Sequence, residues 1–391
     1  MIQGSKLSKL PFHRLAVAVA ALFSLGAVQA ADIKIGVAEA LSGGAAQYGV
    51  AIRNGFQLAA DEINAAGGVG GNKIVMVIED EQGKKEEAIN VLKKLIFQDQ
   101  VVMVFGPTLS NSAQAADPIA QAAKTVVFGT SNTADGITSI GDYVFRNSVT
   151  EADVLPETLK MAVAKSGVKK VAVLYGADDV FTKSGYDNFV KALTDLKIPV
   201  TTTETFAKGD VDFKAQLTKI AATNPDAIVL SALLAEGGPI MVQARQIGIK
   251  VPFIGGNGMN SVKIFELATG GAANGLYVGS PWSSQAATPA NTKFVKSYTD
   301  KYSTAPDQFA AQAYDAMYIA ASAMKNVRWT GKLAEDRTAL RNALPAATHS
   351  GATGDFKFRQ AMDKAGKPAG YDAQQTPIVS VTRDGKFVIE K

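Results

Sequence analysis

The sequence predicts an α/β protein made of two doubly wound lobes that are joined by a three-segment hinge. The chain of 391 residues is 47% apolar, which is enough to build more than one large core. Short runs of β-branched residues alternate with segments of helical periodicity, as in parallel sheets covered by helices. This alternation pauses at residues 143–153 and then restarts, which indicates a second lobe.

The composition excludes several classes of protein. The formal net charge is +4, and Lys6, Lys9 and Arg14 lie in the first 30 residues, so the remainder carries +4 − 3 = +1. A nearly neutral chain lacks the basic surface that nucleic acid requires. The absence of cysteine excludes disulfides, thiolate metal sites and a cysteine nucleophile. We therefore expect no nucleic-acid partner, and nothing in the sequence calls for a cofactor.

The first 30 residues have the pattern of a secretory signal peptide. A basic start is followed by an apolar run at residues 15–28 and by small residues that end at Ala30. The run is shorter than the roughly 20 residues that span a bilayer. We expect cleavage after about Ala30 and export to the periplasm; an uncleaved membrane anchor is the alternative.

The remaining chain is a series of strand, loop and helix units. In the first lobe the predicted strands are residues 32–38, 74–78, 101–105 and 126–128. In the second lobe they are residues 171–175, 200–205, 227–230 and 253–254. Helices between such strands imply parallel sheets with right-handed crossovers.

The end of the chain is predicted to divide between the lobes. Its first part is mainly helical and needs a sheet to cover, so we expect the chain to return to lobe one there. The last part, with a hairpin at residues 378–388, is assigned to lobe two. The predicted division is 31–148 plus 278–354 for lobe one and 149–277 plus 355–391 for lobe two. The hinge crossings are expected near residues 146–149, 276–279 and 354–356.

Two predicted strands of lobe one end in loops that are rich in hydroxyl groups, at residues 106–112 and 129–133. The carboxyl ends of parallel strands line the ligand crevice, and a Ser/Asn cluster that opens a helix offers free N–H groups to an anion. The pattern indicates a site for a small carboxylate. Alternatively, Ser110 or Ser112 only caps the helix that follows.

No catalytic motif accompanies these loops. Residues 129–133 lack the second glycine of G-x-S-x-G, and no glycine pattern completes G-x-G-x-x-G after a strand. His349 is the only histidine beyond the first 30 residues. The acidic residues 79–81 could be metal ligands, but such a run at a strand end is more often a solvated turn. We therefore expect a binding protein rather than an enzyme.

Several short sequence segments resemble those of a known protein family. They are DIKIGV at residues 32–37, SG at 42–43, QYG at 47–49, Gly55, DEINAAGG at 61–68 and Gly71. Together they resemble the start of mature branched-chain amino-acid-binding proteins, which are type I periplasmic solute-binding proteins that feed ABC transporters. The resemblance spans essentially the whole mature chain. It implies two Rossmann-like lobes that close on a ligand by hinge bending.

The resemblance also implies roles for individual residues. Ser110 and Ser131 match residues whose hydroxyls hold the ligand carboxylate. Thr130 matches a residue whose main-chain carbonyl receives the ligand amino group. Tyr48 from lobe one and Phe181 from lobe two match aromatic residues that close over the ligand.

Two departures from the family pattern bear on the ligand. Asn257 stands where the amino-acid binders carry an acidic residue for the ammonium group, and Leu233 or Leu234 replaces a tyrosine. A buried ammonium normally needs a carboxylate partner. The departures therefore favour a small apolar carboxylate, such as an aromatic or branched oxo acid, over a hydrophobic amino acid. The amino acid stays open if Glu151 or Asp153 reaches the cleft.

The predicted function is that of an extracytoplasmic solute-binding protein. We expect a monomer that delivers its ligand to the permease subunits of an ABC importer in the membrane. A periplasmic sensing module of the same fold, which signals to a receptor, is the alternative, because both functions need the same closing cleft.

Overall fold

The computed structural model describes residues 1, 2, 4 and 32–391, so the predicted signal peptide and its cleavage site lie outside the described residues. The strands are β1 (Ile33–Glu39), β2 (Ile74–Asp80), β3 (Met103–Phe105), β4 (Val126–Gly129), β5 (Val144–Arg146), β6 (Val171–Gly176), β7 (Val200–Phe206), β8 (Ala227–Ser231), β9 (Phe253–Gly255), β10 (Leu276–Ser280), β11 (Thr348–Gly351), β12 (Gly354–Met362), β13 (Pro368–Gln374), β14 (Ile378–Arg383) and β15 (Lys386–Ile389). The helices are α1 (Ala46–Ala65), α2 (Lys85–Lys93), α3 (Ser110–Ala122), α4 (Glu151–Ser166), α5 (Val180–Asp195), α6 (Lys214–Ala222), α7 (Leu234–Gln246), α8 (Ile264–Leu267), α9 (Pro289–Tyr302), α10 (Gln308–Met324) and α11 (Leu333–Ala343). Within these ranges, none of the helices combines the length and the apolar character needed to cross a membrane.

The strands form two separate sheets, one for each lobe. The first has the order β11-β12-β13-β5-β4-β3-β1-β2, and the second has the order β15-β14-β10-β9-β8-β6-β7. Strands β1 to β5 pair in parallel within the first sheet, as do β6 to β10 within the second. Helices connect these parallel strands, so the predicted fold class is confirmed.

Helices bury the first sheet on both faces, which is why its central strands are apolar throughout. The rings of Phe56 and Phe105 stack with centroids 4.4 Å apart, and Phe128 follows at 5.5 Å from Phe105. Helices α1 and α10 pack against each other on this lobe. A Cβ on Gly55 would lie 2.2 Å from the main-chain oxygen of Ala310, so glycine permits this close contact. Helix α10, in the helical segment after β10, therefore packs on lobe one.

The lobes are joined by three crossings, of which only the first lies where the sequence analysis expected it. Residues 147–150 connect β5 of the first sheet to α4 of the second lobe. The second predicted crossing, at 276–279, is strand β10, which pairs with β9 and β14 in the second sheet. The chain therefore crosses later, at residues 281–288.

The predicted assignment of residues 355–374 to lobe two is wrong. Strands β12 and β13 pair with each other, and Tyr371 of β13 is in register with Phe145 of β5 in the first sheet. The chain makes its last crossing at residues 375–377, just before the β14–β15 hairpin. Sequence analysis missed β13 because glycine and proline around it are typical of a loop.

Candidate ligand-binding site

A small cavity lies between the two lobes, at the carboxyl ends of the central strands. Its volume is about 20 Å³, which is room for about one water molecule. Its lining residues are Tyr48, Thr108, Leu109, Ser110, Ser131 and Phe309 from lobe one and Phe181, Leu233, Asn257 and Gly258 from lobe two. The two lobes meet around this cavity, so we expect them to move apart when a ligand enters or leaves.

Five of the six residues that the sequence analysis selected line this cavity, and Thr130 does not. Thr130 is fully buried, and its Oγ1 has no hydrogen-bond partner among the described residues. Leu233 also lines the cavity, whereas Leu234 does not and donates its main-chain N–H to the Tyr48 hydroxyl.

The loop after β3 brings the first turn of α3 to the cavity. Gly106 turns the chain with φ of 104°, and a Cβ there would lie 2.0 Å from the main-chain oxygen of Ala38. Helix α3 then begins at Ser110, with Leu109 at the N-cap and no side-chain cap. The interpretation that Ser110 or Ser112 caps this helix is therefore wrong.

The first turn of α3 offers hydrogen-bond donors to an anion. Its first main-chain N–H groups have no partner within the helix. The Ser110 hydroxyl accepts a hydrogen bond from the Ala134 N–H at 3.3 Å, which leaves its own O–H able to donate. The Ser131 hydroxyl donates to the Thr108 carbonyl at 2.6 Å, so it must rotate before it can donate to a ligand.

Tyr48 bridges the two lobes. Its hydroxyl donates to the Gly258 carbonyl and accepts from the Leu234 N–H, both at 2.7 Å. Its ring packs edge-on against Phe309, with centroids 4.8 Å apart. Burial raises the pKa of Tyr48 well above its ordinary value, so the hydroxyl keeps its proton for the contact with Gly258.

A second contact between the lobes positions Phe181, and sequence reasoning missed it. Asp179 is the N-cap of α5, and its Oδ1 accepts from the N–H groups of Phe181 and Thr182. The other oxygen of Asp179 accepts from Asn111 Nδ2 at 2.6 Å, while Asn111 Oδ1 accepts from the Val180 N–H at 2.7 Å. We call Asn111 and Asp179 the interlobe clasp.

Asn257 belongs to a chain of three amides, which we call the amide relay. Asn257 Nδ2 donates to the Ser131 carbonyl at 3.2 Å, and Asn257 Oδ1 accepts from Gln308 Nε2. Gln308 Oε1 in turn accepts from Asn260 Nδ2 at 2.7 Å. The side-chain oxygen of Asn257 therefore already has a donor.

Two buried carboxyl groups lie behind the hydroxyl-rich wall of lobe one. Glu39 accepts from the Thr108 hydroxyl, and Glu81 accepts from the Ser112 hydroxyl at 2.9 Å. Burial raises the pKa of Glu81 to about 7 and the pKa of Glu39 well above its ordinary value. The interpretation of residues 79–81 as a solvated turn is thus wrong for Glu81. The described residues contain no cluster of three or more acidic or histidine side chains suited to a metal ion.

The two acidic residues at the first crossing lie in different surroundings. Glu151 is buried and accepts from the Thr133 hydroxyl of lobe one at 2.9 Å. It does not line the cavity, and burial raises its pKa to about 7. Asp153 pairs with Arg359 at 2.8 Å near the surface, with a third of its side chain exposed. Only Glu151 is therefore near the cleft.

Comparison with known proteins agrees with this architecture. The family model for periplasmic binding proteins matches residues 32–385. A leucine-, isoleucine-, valine-, threonine-, and alanine-binding protein of Pseudomonas aeruginosa is 29% identical over 92% of this chain and 93% of its own length.

Two solved structures are similar over 92% of this chain. The substrate-binding protein LivJ of a branched-chain amino acid transporter from Streptococcus pneumoniae, in complex with isoleucine, is 31% identical with a TM-score of 0.82 and 99% of its chain covered. An ABC transporter solute-binding protein from R. palustris, in complex with benzoate, is 26% identical with a TM-score of 0.79 and 95% covered. As the sequence resemblance predicted, the chain belongs to the periplasmic binding protein family and is a solute-binding protein of the ABC-transporter type, not an enzyme.

Proposed function

We propose that the protein captures a small apolar carboxylate without a free amino group, such as an aromatic or branched oxo acid, and delivers it to an ABC importer. The observation that supports this proposal is the composition of the cavity wall. It combines hydroxyl groups and a helix N-terminus with the apolar side chains of Phe181, Leu233 and Phe309. None of the described residues that line it is acidic.

The carboxylate would lie at the first turn of α3. The helix N-terminus carries partial positive charge, and its unpaired N–H groups point toward an anion. Ser110 adds a hydroxyl that can donate. Tyr48 and Phe181 would enclose the apolar body from the two lobes.

An ammonium group that is buried in this cavity would lose its hydration and gain few interactions in return. Asn257 offers a neutral oxygen that already accepts from Gln308, and such a hydrogen bond is weaker than one to a carboxylate. Glu151 lies outside the lining, and burial raises its pKa above the ordinary value, so its charged form is disfavoured where it stands. Burial of the unpaired cation would therefore be unfavourable.

The ligands bound in two similar proteins agree with a carboxylate that has an apolar body. LivJ is in complex with isoleucine, and the R. palustris protein is in complex with benzoate. A hydrophobic amino acid is therefore the second candidate, with Glu151 as the residue that would meet its ammonium group. The relatives named for ABC transport favour import over the sensing alternative, and they imply permease partners for a periplasmic protein.

A thermal-shift screen tests the ligand class. Ligand at about 100 times its dissociation constant should add about 2.7 kcal/mol of stability. We expect stabilisation by benzoate, phenylpyruvate or the oxo acid of leucine, and little by leucine, isoleucine, valine or phenylalanine. Stabilisation by the amino acids alone would overturn the amine-free assignment.

The variant Asn257→Asp sharpens the same test because it restores an acidic residue at nearly constant volume. It should weaken binding of the oxo acids and improve binding of the matching amino acids. The control Asn342→Asp adds the same charge on an exposed position of α11 and should change neither. An equal loss for both ligand classes in Asn257→Asp would mean that Asn257 only maintains the cleft.

A further inference from the structure

A second and larger cavity lies beside the ligand cavity, between the same two lobes. Its volume is about 250 Å³, against about 20 Å³ for the ligand cavity. Lobe one contributes Gln308 at the start of α10, and the second crossing contributes Trp282. Lobe two contributes Asn260 and Phe265, which follow β9, and Phe387 of β15.

The amide relay separates the two cavities. Asn257 lines the ligand cavity, whereas Gln308 and Asn260 line the second one. On α10, Gln308 faces the second cavity and the next residue, Phe309, faces the first. At the relay the partition is two hydrogen-bonded side chains thick, with Asn257 on the side of the ligand cavity and Gln308 on the side of the second cavity.

The walls of the second cavity suit an aromatic group with a neutral polar substituent. Phe265 and Phe387 pack with centroids 5.2 Å apart, and Trp282 adds a third aromatic side chain. The amides of Gln308 and Asn260 supply both donors and acceptors. Two charged residues also line the cavity. The ammonium group of Lys386 is exposed to water, which weakens its attraction for an anion. The carboxylate of Asp307 already accepts from Ser261 and from the Ala310 N–H, so it is poorly placed to attract a cation.

We propose that this second cavity is an extension subsite, which takes the hydroxyaryl end of an elongated carboxylate whose acid group lies at the first turn of α3. The side chain of Gln308 acts as the gate: it leaves Asn257 and makes hydrogen bonds to the ligand instead. The inference rests on the proposed function, because it assumes that the carboxylate end binds in the first cavity. It extends the ligand class to aromatic acids in which a carbon chain separates the ring from the acid group.

A variant that fills only the second cavity tests the inference. Ala305 lines that cavity from an exposed position, outside the ligand cavity. The probes for calorimetric titration are benzoate and para-hydroxyphenylpropanoate. Ala305→Trp should weaken the long acid at least about tenfold, which is within the range for a filled apolar contact. It should change the affinity for benzoate by no more than about twofold. The control Ala305→Ser should change the affinity for either probe by no more than that.

The possible outcomes separate this inference from the proposed function. Selective loss of the long acid in Ala305→Trp supports the extension subsite. Binding of the long acid to Gln308→Ala but not to wild type would overturn the inference, because Gln308 would then keep the second cavity closed to the ligand in the natural protein. If benzoate binds but the long acid binds neither wild type nor Gln308→Ala, or binds equally well to Ala305→Trp, the inference is overturned and the proposed function stands. An equal loss of both acids in Ala305→Trp overturns the inference as well. If wild type binds none of the amine-free acids, both are overturned.

Discussion

The two walls of the cleft are built from loops at the same ends of parallel strands, yet their chemistry differs. The wall of lobe one presents the hydroxyls of Ser110 and Ser131, with the buried carboxyl of Glu81 behind it. The wall of lobe two presents the side chains of Phe181, Leu233 and Asn257 and no hydroxyl group. Both walls contain apolar side chains, so the difference lies in their polar groups. The hydroxyls of Ser110 and Ser131 are held by partners within lobe one, whereas the amide of Asn257 bonds to the Ser131 carbonyl only when the lobes meet.

The buried carboxyl groups behind lobe one predict the largest effect, on stability. Burial raises the pKa of Glu81 from the ordinary 4.5 to about 7 in the folded protein. The unfolded chain therefore loses this proton at lower pH, and the free energy of unfolding falls as pH rises through this range. Between about pH 5 and pH 8 we expect Glu81 to account for a loss of roughly 2 to 3 kcal/mol.

Chemical denaturation of Glu81→Gln across this pH range checks the prediction. The variant should remove most of that loss, because the amide does not titrate. Glu79→Gln is the matched control, since Glu79 lies two residues earlier, in β2, and pairs with Lys94 at the surface. If the free energy of unfolding depends equally steeply on pH in wild type and in Glu81→Gln, other buried carboxyl groups, such as Glu151, cause the dependence.

Ser110 tests the polar wall directly. Ser110→Ala removes a donor at the expected carboxylate position and should weaken ligand binding by roughly 1.5 to 3 kcal/mol, the range for a hydrogen bond to a charged group. Calorimetric titration measures the loss with whichever ligand the thermal-shift screen identifies. Unchanged affinity would remove Ser110 from the site. Ser139→Ala, elsewhere in lobe one, is the control and should leave binding unaltered.

Tyr48 tests the closing wall. Tyr48→Phe keeps the ring but removes hydrogen bonds to Gly258 and Leu234, and both main-chain groups can bond to water when the lobes separate. The variant should therefore favour the open form and weaken binding by roughly 1 to 2 kcal/mol.

Small-angle scattering reports the arrangement of the lobes. Wild type should become more compact when saturated with ligand, by rotation about residues 147–150, 281–288 and 375–377. At equal ligand concentration, Tyr48→Phe should show a smaller change. If the unliganded protein is open and ligand leaves its radius unaltered, hinge closure is wrong.

The sequence predicts the parallel core well because local patterns encode it. The apolar runs of β3 and β4 and the amphipathic helices between the strands repeat with distinct periods. Pairing at the edges of the sheets is different. Strand β13 joins the first sheet through contacts between residues more than 200 positions apart, and its glycine and proline resemble those of a loop. Such pairing depends on tertiary structure, so the last crossing was misassigned.

The same difference between local patterns and contacts of distant residues explains which parts of the site could be predicted. Strand-end loops predict which main-chain segments meet, and five selected residues line one cavity. The interlobe clasp and the amide relay were missed, because their partners lie 68 and 51 residues apart. The chain bends at Thr130 and Ser131 directly after β4, and only the side chain of Ser131 lines the cavity. Ser131 faces the cavity, and Thr130 lies behind it.

Thr130 therefore gives the smallest expected effect, and it tests how the polar wall is made. Thr130→Val preserves the shape of the side chain and the main-chain carbonyl that the family resemblance implicates. It removes a buried hydroxyl without a partner among the described residues, so binding should change by less than about 0.5 kcal/mol. Folding stability should stay the same or rise slightly, since no hydrogen bond is lost. Ser131→Ala, at the adjacent position, is the matched comparison and should weaken binding measurably in the same titration. A loss of more than about 1.5 kcal/mol in Thr130→Val would mean that its hydroxyl binds the ligand, and the wall of lobe one would then contain a donor that the arrangement of the cavity does not reveal.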